Sequence, residues 1–387
     1  MPVINSIAAD KELLTGWRRH LHQNPELGFE CHQTSDFVAA RLQEFGVDEI
    51  HRGIAKTGIV SIIRGKSEGR AIGLRADMDA LPILEQTGVP YASSVPGRMH
   101  ACGHDGHTTM LLGAARYLAQ TRNFAGTAVL IFQPAEEAGG GGGVMCDEGI
   151  MDRFDISEVY ALHTAPGAAT GTFRTRSGPL MAAVDDFFFT VRGLGGHAAL
   201  PHLTRDPVPA ALALGQAVHT LVSRNTDPVD NLVVSLTMIS AGTATNVIPE
   251  TATLAGTVRS FNPQTRLMAR DRLQEMADGI GAAMGVEITL ELDISYPATI
   301  NPEAETGFAV SVAREIVGEG AVEADCPPEM GSEDFAYMLE QRPGCYLFLG
   351  QGDGPQVHHP AFNFNDEILP VGASFFARIM ERSRPAV

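Results

Sequence analysis

Four separated stretches of the sequence carry side chains that can bind metal ions or transfer protons. One thiol, three imidazoles and a carboxylate lie within residues 99–107. The adjacent pair Glu136 and Glu137 follows, and His163 and the two histidines 358–359 come further along the chain. Two cations that share a water lower its pKa, and a nearby carboxylate can accept the released proton. This set of donors predicts a two-metal hydrolase.

The thiol and the adjacent glutamates are the strongest candidates. Cys102 and His104 are two residues apart, so on an extended segment their side chains point the same way, and both are good ligands for transition metals. Of Glu136 and Glu137, one can bind metal while the other acts as general base. The competing interpretation is a loop with chance histidines and a pair of solvated carboxylates. The glycine run 139–143 lacks the Lys-Ser/Thr of a phosphate-binding loop and predicts a mobile or tight turn.

The other histidines give weaker signals. His163 is expected at the end of an apolar strand, and His358 shares a tight turn with a second histidine, so only one of the two is expected to reach a metal. His107 is interpreted as structural at a helix start, and His100 is left open. His197 lies in a glycine-rich turn that allows close approach of another group.

Composition excludes several classes of protein. A chain of 387 residues favours two domains, and a net charge of −18 argues against a nucleic-acid partner. The sequence shows no secretory signal and no apolar run of the ~18 residues that a membrane span needs. Five scattered cysteines, an odd number, fit a reducing compartment. We therefore expect a cytoplasmic protein with no membrane partner.

Short apolar strands alternate with amphipathic helices in the first part of the chain. Helices are predicted over 10–22, 33–45 and 107–120, and buried strands over 71–76 and 127–132. Such alternation predicts a mostly parallel sheet covered by helices, with its ligand site at the carboxyl ends of the strands. Asp79 and Glu136 both fall just past a predicted strand, which supports a site there.

The middle of the chain has a different pattern. Strands are predicted over 185–193, 231–239, 251–260 and 286–294, and helices over 206–224 and 263–284. This β-α-β-β-α-β order is ferredoxin-like. The expected fold class is α/β, in which residues 1–184 and 296–387 form a catalytic domain with a mostly parallel mixed sheet flanked by helices. Residues 185–295 form an inserted ferredoxin-like βαββαβ dimerisation or lid domain, whose edge strands could pair across a dimer.

Several motifs spread along nearly the whole chain carry a family resemblance. They lie at 17–27, 74–82, 99–107, 132–137, 195–202, 330–335 and 358–366. Together they resemble the dinuclear metallopeptidase family of the aminoacylases and glutamate carboxypeptidases, peptidase family M20. Within it they are most similar to the amidohydrolase branch of hippurate hydrolases, N-acyl-amino-acid amidohydrolases and auxin-conjugate hydrolases.

The resemblance implies which residues bind metal. Cys102 is the implied bridging ligand, and the ligands that complete two sites are His104, Glu137, His163 and His358. Cys102 departs from the wider family, where a carboxylate bridges, and Asp77 stands where other members have a ligand histidine. Both departures are typical of the amidohydrolase branch. Two divalent ions per chain are implied, and the mixed ligand set suits Zn, Mn, Co or Ni.

The resemblance also implies catalytic and binding roles. Glu136 matches the general acid/base, and Asp79 matches a carboxylate that orients a ligand imidazole. His197 matches a histidine that reaches the active site of the neighbouring subunit. The residues implied to position the substrate are Asn246, Arg259, Gly331 and Ser332.

The implied activity is metal-dependent hydrolysis of the amide bond of N-acyl amino acids, either hippurate-type or N-acetyl. The products are a carboxylic acid and a free amino acid. A metallo-carboxypeptidase or dipeptidase of the same fold stays open as the alternative. Family likeness also implies a homodimer built through the inserted domain, with a dimer of dimers left open.

Overall fold

The computed structural model describes residues 3–382 and divides into two compact units. The large unit comprises the described residues of Met1–Leu180, Ile300–Pro327 and Asp334–Val387. The small unit comprises Met181–Thr299 and Pro328–Glu333. Each unit has its own cluster of buried apolar side chains, as expected for a chain of this length.

Helices in the described chain follow one another in this order: α1 (Asn5–Ala9), α2 (Lys11–Gln23), α3 (His32–Phe45), α4 (His104–Thr121), α5 (Gly141–Asp147), α6 (Ile150–Arg153), α7 (Pro207–Val218), α8 (Pro263–Met284), α9 (Glu303–Val317), α10 (Ala336–Gln341) and α11 (Leu369–Arg382). The three helices predicted in the large unit over 10–22, 33–45 and 107–120 correspond to α2, α3 and α4, although α4 begins at His104, before the predicted start at residue 107.

Strands follow one another in this order: β1 (Glu49–Ile54), β2 (Gly58–Arg64), β3 (Ser67–Asp77), β4 (Ala125–Gln133), β5 (Ile156–Pro166), β6 (Phe173–Arg174), β7 (Gly178–Met181), β8 (Ala183–Arg192), β9 (Gly196–His197), β10 (Leu232–Ala241), β11 (Val247–Ile248), β12 (Thr251–Ser260), β13 (Glu287–Ile294), β14 (Thr299–Asn301), β15 (Val322–Glu323) and β16 (Gly344–Gly352).

The large unit is built on a mixed eight-stranded sheet in the order β1-β2-β4-β3-β5-β16-β6-β15. Its central strands β4, β3, β5 and β16 are parallel, whereas β1, β2 and β6 add antiparallel pairings towards the edges. The two apolar runs predicted as strands lie inside β3 and β4. The predicted mostly parallel mixed sheet flanked by helices is therefore confirmed, and its strand ends lie at one edge.

Helix α4 lies in the core of the large unit and packs against α2, α3 and α11. Its N-terminal boundary is set by Gly103, whose φ is 93°. A Cβ at this position would lie 2.7 Å from Cγ2 of Thr164, so the close approach and the positive φ both require glycine. The helix can therefore begin at His104, directly beside β5.

The small unit contains an antiparallel sheet in the order β10-β12-β8-β13. With α7 and α8, the chain order is β-α-β-β-α-β, the ferredoxin-like pattern. Helix α7 begins as the sequence predicts, because the Asp206 carboxylate accepts a hydrogen bond from the Val208 amide and Pro207 is the first helical residue. It ends at Val218, earlier than predicted. The role of this unit in dimerisation stays a prediction.

None of the helices within residues 3–382 is both long and apolar enough to cross a bilayer.

Candidate metal centre

The candidate donors come from strand ends and loops of the large unit. Strand β3 ends at Asp77 and β4 ends at Gln133, so Asp79 and the glutamate pair follow directly, as expected for a site at the carboxyl ends of parallel strands. His163 lies inside β5, which continues to Pro166, and not at the strand end that the sequence suggested. Its side chain still reaches the same edge, because Sγ of Cys102 is 3.2 Å from its Nε2.

The donor atoms form two groups that share the Cys102 sulfur. Possible ligand atoms of Cys102, His104 and His163 lie within 4.8 Å of one another. Those of Cys102, Glu137 and His358 do so as well. All five residues predicted to bind metal are thus brought together, with the thiol common to both groups.

Cys102 and His104 converge for a reason other than the extended segment that the sequence suggested. Gly103 turns the chain into helix α4, so His104 is the first helical residue. Their donor atoms nevertheless fall in one group. Of the two adjacent histidines near the end of the chain, His358 contributes, since its Nε2 lies 3.3 Å from Oε1 of Glu137. The ring of His359 instead accepts a hydrogen bond from the Ala361 amide at 3.0 Å.

Asp79 holds the backbone of the glutamate pair. Its Oδ1 accepts a hydrogen bond from the Glu136 amide at 3.0 Å, and its Oδ2 accepts one from the Glu137 amide at 3.1 Å. The same Oδ1 lies 3.4 Å from Nδ1 of His104. That contact turns the other ring nitrogen of His104, Nε2, towards the side where Glu137 lies. One buried carboxylate therefore orients two candidate ligands and the candidate base.

The glycine run after the glutamates is a tight turn. A Cβ at Gly141 would lie only 1.8 Å from the Pro134 carbonyl oxygen, so no larger residue fits without a backbone shift. The Asp334 carboxylate accepts a hydrogen bond from the Gly142 amide at 2.8 Å. Of the two interpretations that the sequence allowed, mobile or tight, the structure shows the tight turn.

Burial and charge shift the pKa values of the candidate ligands. Burial raises the pKa of the Cys102 thiol well above its usual range, and the Glu137 carboxylate adds to the effect. Burial opposes the charged form of His104, but the Asp77 and Asp79 carboxylates raise the pKa of its ring to about 10. Burial lowers the pKa of His163 well below its usual value, which favours the neutral ring that binds metals.

The residues fit a pair of divalent metal ions. Nε2 of His104 is buried and makes no hydrogen bond, although a buried polar nitrogen without a partner is costly. Sulfur, imidazole and carboxylate donors suit Zn, Co, Ni and Mn. A cation would also offset the negative charge that raises the pKa of the Cys102 thiol. The shared sulfur allows two ions to occupy neighbouring positions.

His197, the histidine implied to reach a neighbouring subunit, lies beside the predicted substrate-positioning residue Asn246 in the small unit. His197 pairs with Val247 between the short strands β9 and β11, and the Asn246 carbonyl accepts a hydrogen bond from the Ala198 amide at 3.1 Å. The exposed ring of His197 accepts a hydrogen bond from the Ala199 amide at Nδ1. A neutral ring held in this way carries its proton on Nε2, where it can donate to a ligand.

The other predicted substrate contacts also lie in the small unit. Arg259 is on β12, and its Nη1 is buried and makes no hydrogen bond. Such a guanidinium nitrogen is suited to an external carboxylate. The Gly331 carbonyl accepts a hydrogen bond from the Ala182 amide at 2.8 Å, and Ser332 beside it is partly buried.

Several buried polar residues of the large unit were not predicted from the sequence. Arg75 donates hydrogen bonds to Asp77 at 2.8 Å and to Asp334 at 2.9 Å, and all three side chains are inaccessible to solvent. The signal was available, because Arg75 interrupts an otherwise apolar strand and such a charge needs partners. His100, which the sequence left open, is buried, and burial lowers the pKa of its ring to about 4. It belongs to neither donor group.

Comparison with known proteins defines the family. The model of peptidase family M20/M25/M40 matches residues 73–382, and the chain belongs to this family. The chain is 40% identical over 362 residues to a hippurate hydrolase of Campylobacter jejuni, with 94% of each chain covered. It is 42% identical over 374 residues to an N-acetyl-L-cysteine deacetylase of Bacillus subtilis, with 96% of this chain and 88% of the relative covered.

A solved structure extends the comparison to the fold. The crystal structure described as a dinuclear metal-binding peptidase of the M20 family from Bacillus subtilis has a TM-score of 0.84 and 35% identity. The alignment covers 97% of this chain and 98% of that one. The family resemblance and the prediction of a metal-dependent hydrolase that acts on amides are confirmed.

Proposed function

We propose that this protein hydrolyses the amide bond of N-acyl amino acids with two divalent metal ions. The observation that carries the proposal is the pair of donor groups that share the Cys102 sulfur, one of which contains the partly buried Glu137, with the buried Glu136 directly before it in the chain. The residues that would hold the two ions are Cys102, which is common to both donor groups, and His104, Glu137, His163 and His358. The relatives named as hippurate hydrolase and N-acetyl-L-cysteine deacetylase support the substrate class.

Bound metal ions supply Lewis-acid chemistry, in that they make a water acidic and polarise the acyl carbonyl. Glu136 accepts the proton of the attacking water at its carboxylate. It then delivers that proton to the amide nitrogen as the C–N bond breaks, so that the acyl half leaves as the carboxylic acid and the amino acid leaves with a neutral amino group. Asp79 accepts a hydrogen bond from the Glu136 amide and thereby fixes the backbone position from which the Glu136 side chain extends.

Arg259 is proposed to bind the α-carboxylate of the amino-acid half. The unpaired Nη1 supports this role, because a guanidinium fork matches a carboxylate in two parallel hydrogen bonds. Asn246 and the backbone of Gly331 and Ser332 are proposed to position the same half. A substrate that lacks the carboxylate is expected to lose these contacts.

We propose a homodimer in which His197 of one chain serves the centre of the other. The accessible Nε2 of His197 suits donation to the oxyanion that forms at the acyl carbon. Strand β10 is an edge strand with Met238 66% and Ile239 54% exposed, and an apolar edge of this kind is suited to pairing with a second copy. A cytoplasmic location is proposed on the five free cysteines.

A substrate panel tests the proposed activity. Benzoyl-glycine, benzoyl-glycinamide and glycyl-glycine differ in whether the amino end is acylated and whether the carboxylate is free. We expect turnover of the first, weak turnover of the second and little of the third, measured by release of the free amine with the Glu136→Gln variant as blank. Preference for glycyl-glycine would instead support the alternative, a dipeptidase or carboxypeptidase of the same fold.

A further inference from the structure

His107 is a buried histidine whose two ring nitrogens are both engaged. It lies one turn after His104 on α4 and is 1% exposed. Its Nδ1 lies 2.7 Å from Oδ1 of Asp77, and its Nε2 accepts a hydrogen bond from the Thr164 amide at 2.9 Å. Because a backbone amide can only donate, Nε2 is the acceptor and Nδ1 carries the proton that Asp77 accepts. The tautomer of His107 is therefore defined by its partners.

The residue that His107 holds is also the residue that orients His163. The Thr164 carbonyl accepts a hydrogen bond from Nδ1 of His163 at 2.7 Å, which leaves Nε2 of His163 as the metal-binding atom. That Nε2 faces the Cys102 sulfur at 3.2 Å. The Thr164 hydroxyl in turn donates to Gln351 at 2.8 Å. The position of one short stretch of β5 thus determines where His163 points.

The other end of this chain of hydrogen bonds is equally well anchored. Asp77 uses its Oδ1 for His107 and its Oδ2 for Nη1 of Arg75, and Arg75 also binds Asp334. The Asp77 backbone carbonyl accepts a hydrogen bond from the hydroxyl of Thr108, the next residue on α4. Both carboxylate oxygens of Asp77 accept hydrogen bonds, from His107 and from Arg75, so Asp77 fixes the position of the His107 ring.

We propose that His107 is a positioning residue of the metal centre and not a ligand. Its hydrogen bonds to Asp77 and to the Thr164 amide join the end of β3 to β5. The Thr164 carbonyl in turn sets the orientation of His163. This inference rests on the proposed function, because it takes His163 to be a ligand. A rival role exists, since Asp77, His104 and His107 also bring donor atoms within 4.8 Å of one another. To act as a ligand, His107 would have to give up its bond to Asp77 or to Thr164.

Two variants separate these roles. His107→Leu removes both hydrogen bonds, whereas His107→Gln keeps an amide that can accept from the Thr164 N–H. The matched control is His100→Leu, because His100 is equally buried, its ring nitrogens make no hydrogen bond and it belongs to no donor group. His163→Ala serves as the reference for true loss of a ligand. Thermal unfolding of each metal-free protein shows whether the variant is folded.

The readouts are the number and affinity of bound Co²⁺ ions and the thiolate-to-cobalt absorption band, with kcat and KM measured beside them. We expect His107→Leu to bind two ions about 10–100-fold more weakly, the range typical when a residue behind a ligand is lost. The absorption band should shift, and the fold decrease in kcat should be larger than the fold change in KM. His107→Gln should recover part of the affinity, and His100→Leu should match the unmodified protein. If His107→Leu does not fold, the Co²⁺ affinity of His107→Gln decides the question. A weakened affinity supports the positioning role, and an unchanged affinity overturns it.

Three outcomes would each contradict a different part of this proposal. Unchanged Co²⁺ affinity in both His107 variants would overturn the positioning role. Loss of one whole ion from His107→Leu, as in His163→Ala, would make His107 a ligand. Retention of two tightly bound ions by His163→Ala would overturn the proposed ligand set itself, and the positioning role with it.

Discussion

At the residue scale, two neighbouring glutamates are expected to do different work. The amides of Glu136 and Glu137 are held by the two oxygens of one Asp79 carboxylate, so the backbone of the pair is fixed. Glu137 shares a donor group with Cys102 and His358, whereas Glu136 shares none with the Cys102 sulfur and is grouped instead with His104 and Glu137, and with Glu333 and Asp334. Adjacent side chains on a fixed backbone can therefore serve as metal ligand and as base.

The Glu136→Gln variant tests this division. The amide keeps the size of the side chain but cannot accept a proton from water, so kcat should fall roughly 10²–10⁴-fold, the usual contribution of a general base. The content of bound metal, measured by elemental analysis, should stay at the level of the unmodified protein. Near-normal turnover in a fully loaded variant would show that Glu136 is not the base.

Replacement of Arg259 by lysine tests carboxylate recognition. Lysine keeps the charge but loses the planar donor fork, so KM for benzoyl-glycine should rise about tenfold, which corresponds to about 1.4 kcal/mol of binding. KM for benzoyl-glycinamide should change little, because that substrate has no carboxylate to lose. An equal change in both KM values would argue against a contact with the carboxylate.

At the scale of elements, the glycine turn after the glutamate pair leads into α5 and packs closely against Pro134. Gly141→Ala would place a Cβ 1.8 Å from the Pro134 carbonyl oxygen. We expect a loss of about 1–3 kcal/mol in the free energy of unfolding, as for other overpacked sites, and a loss of activity. Urea denaturation and steady-state kinetics measure the two effects.

Gly16 on helix α2 provides the matched control for that substitution. Apart from its chain neighbours and the backbone of its own helix, no atom of residues 3–382 lies within 4 Å of the position that its Cβ would occupy. Gly16→Ala should therefore raise the free energy of unfolding by about 0.5–1 kcal/mol, because alanine favours a helix interior. If both alanine variants behave alike, the close approach at Gly141 has no energetic consequence.

Asp185 on β8 gives the small unit a predictable dependence on pH. Arg266 and Arg270 on α8 each donate two hydrogen bonds to it, at 2.6–3.0 Å. Burial opposes the charge, but these two guanidiniums lower the pKa of the carboxyl. A lowered folded-state pKa adds stability above the unfolded pKa of about 3.9, and this stability is lost as pH falls.

Asp185→Asn is therefore expected to lower the free energy of unfolding by about 1–3 kcal/mol at pH 7. The difference from the unmodified protein should shrink as pH falls towards and below 4, where the unfolded carboxyl becomes protonated. Urea titrations across this pH range measure it. A difference that grows as pH falls would contradict the ion-pair explanation.

The sequence predicted those parts of the fold and of the candidate site that depend on local patterns of residues. Apolar periodicity located β3, β4 and α8, and the Asp206-Pro207 start located α7. The donors near Cys102 were recognisable because rare residue types are concentrated there. Hydrogen bonds that join distant segments were not predictable in this way. The pairing of His107 with Thr164 spans 57 residues and depends on how α4 lies against β5.

At the scale of the whole molecule, the role proposed for His197 is to serve the metal centre of a second copy of the chain. His197 lies in the small unit, whereas all five candidate ligands lie in the large unit. Mixing a His197→Ala chain with a Glu136→Gln chain leaves one centre of the heterodimer with both an intact Glu136 and an intact partner His197. We expect about a quarter to half of normal activity to return on mixing, because one of two centres is restored. No recovery in a confirmed heterodimer would refute a shared site.

Anomalous diffraction from crystals grown with Co²⁺ locates the bound ions themselves and therefore shows whether each chain holds a two-metal centre. The account predicts two anomalous peaks in each chain, about 4 Å apart as in other two-metal sites, with the Cys102 sulfur in contact with both. A single ion, or a pair of ions that leaves the Cys102 sulfur uncoordinated, would contradict it.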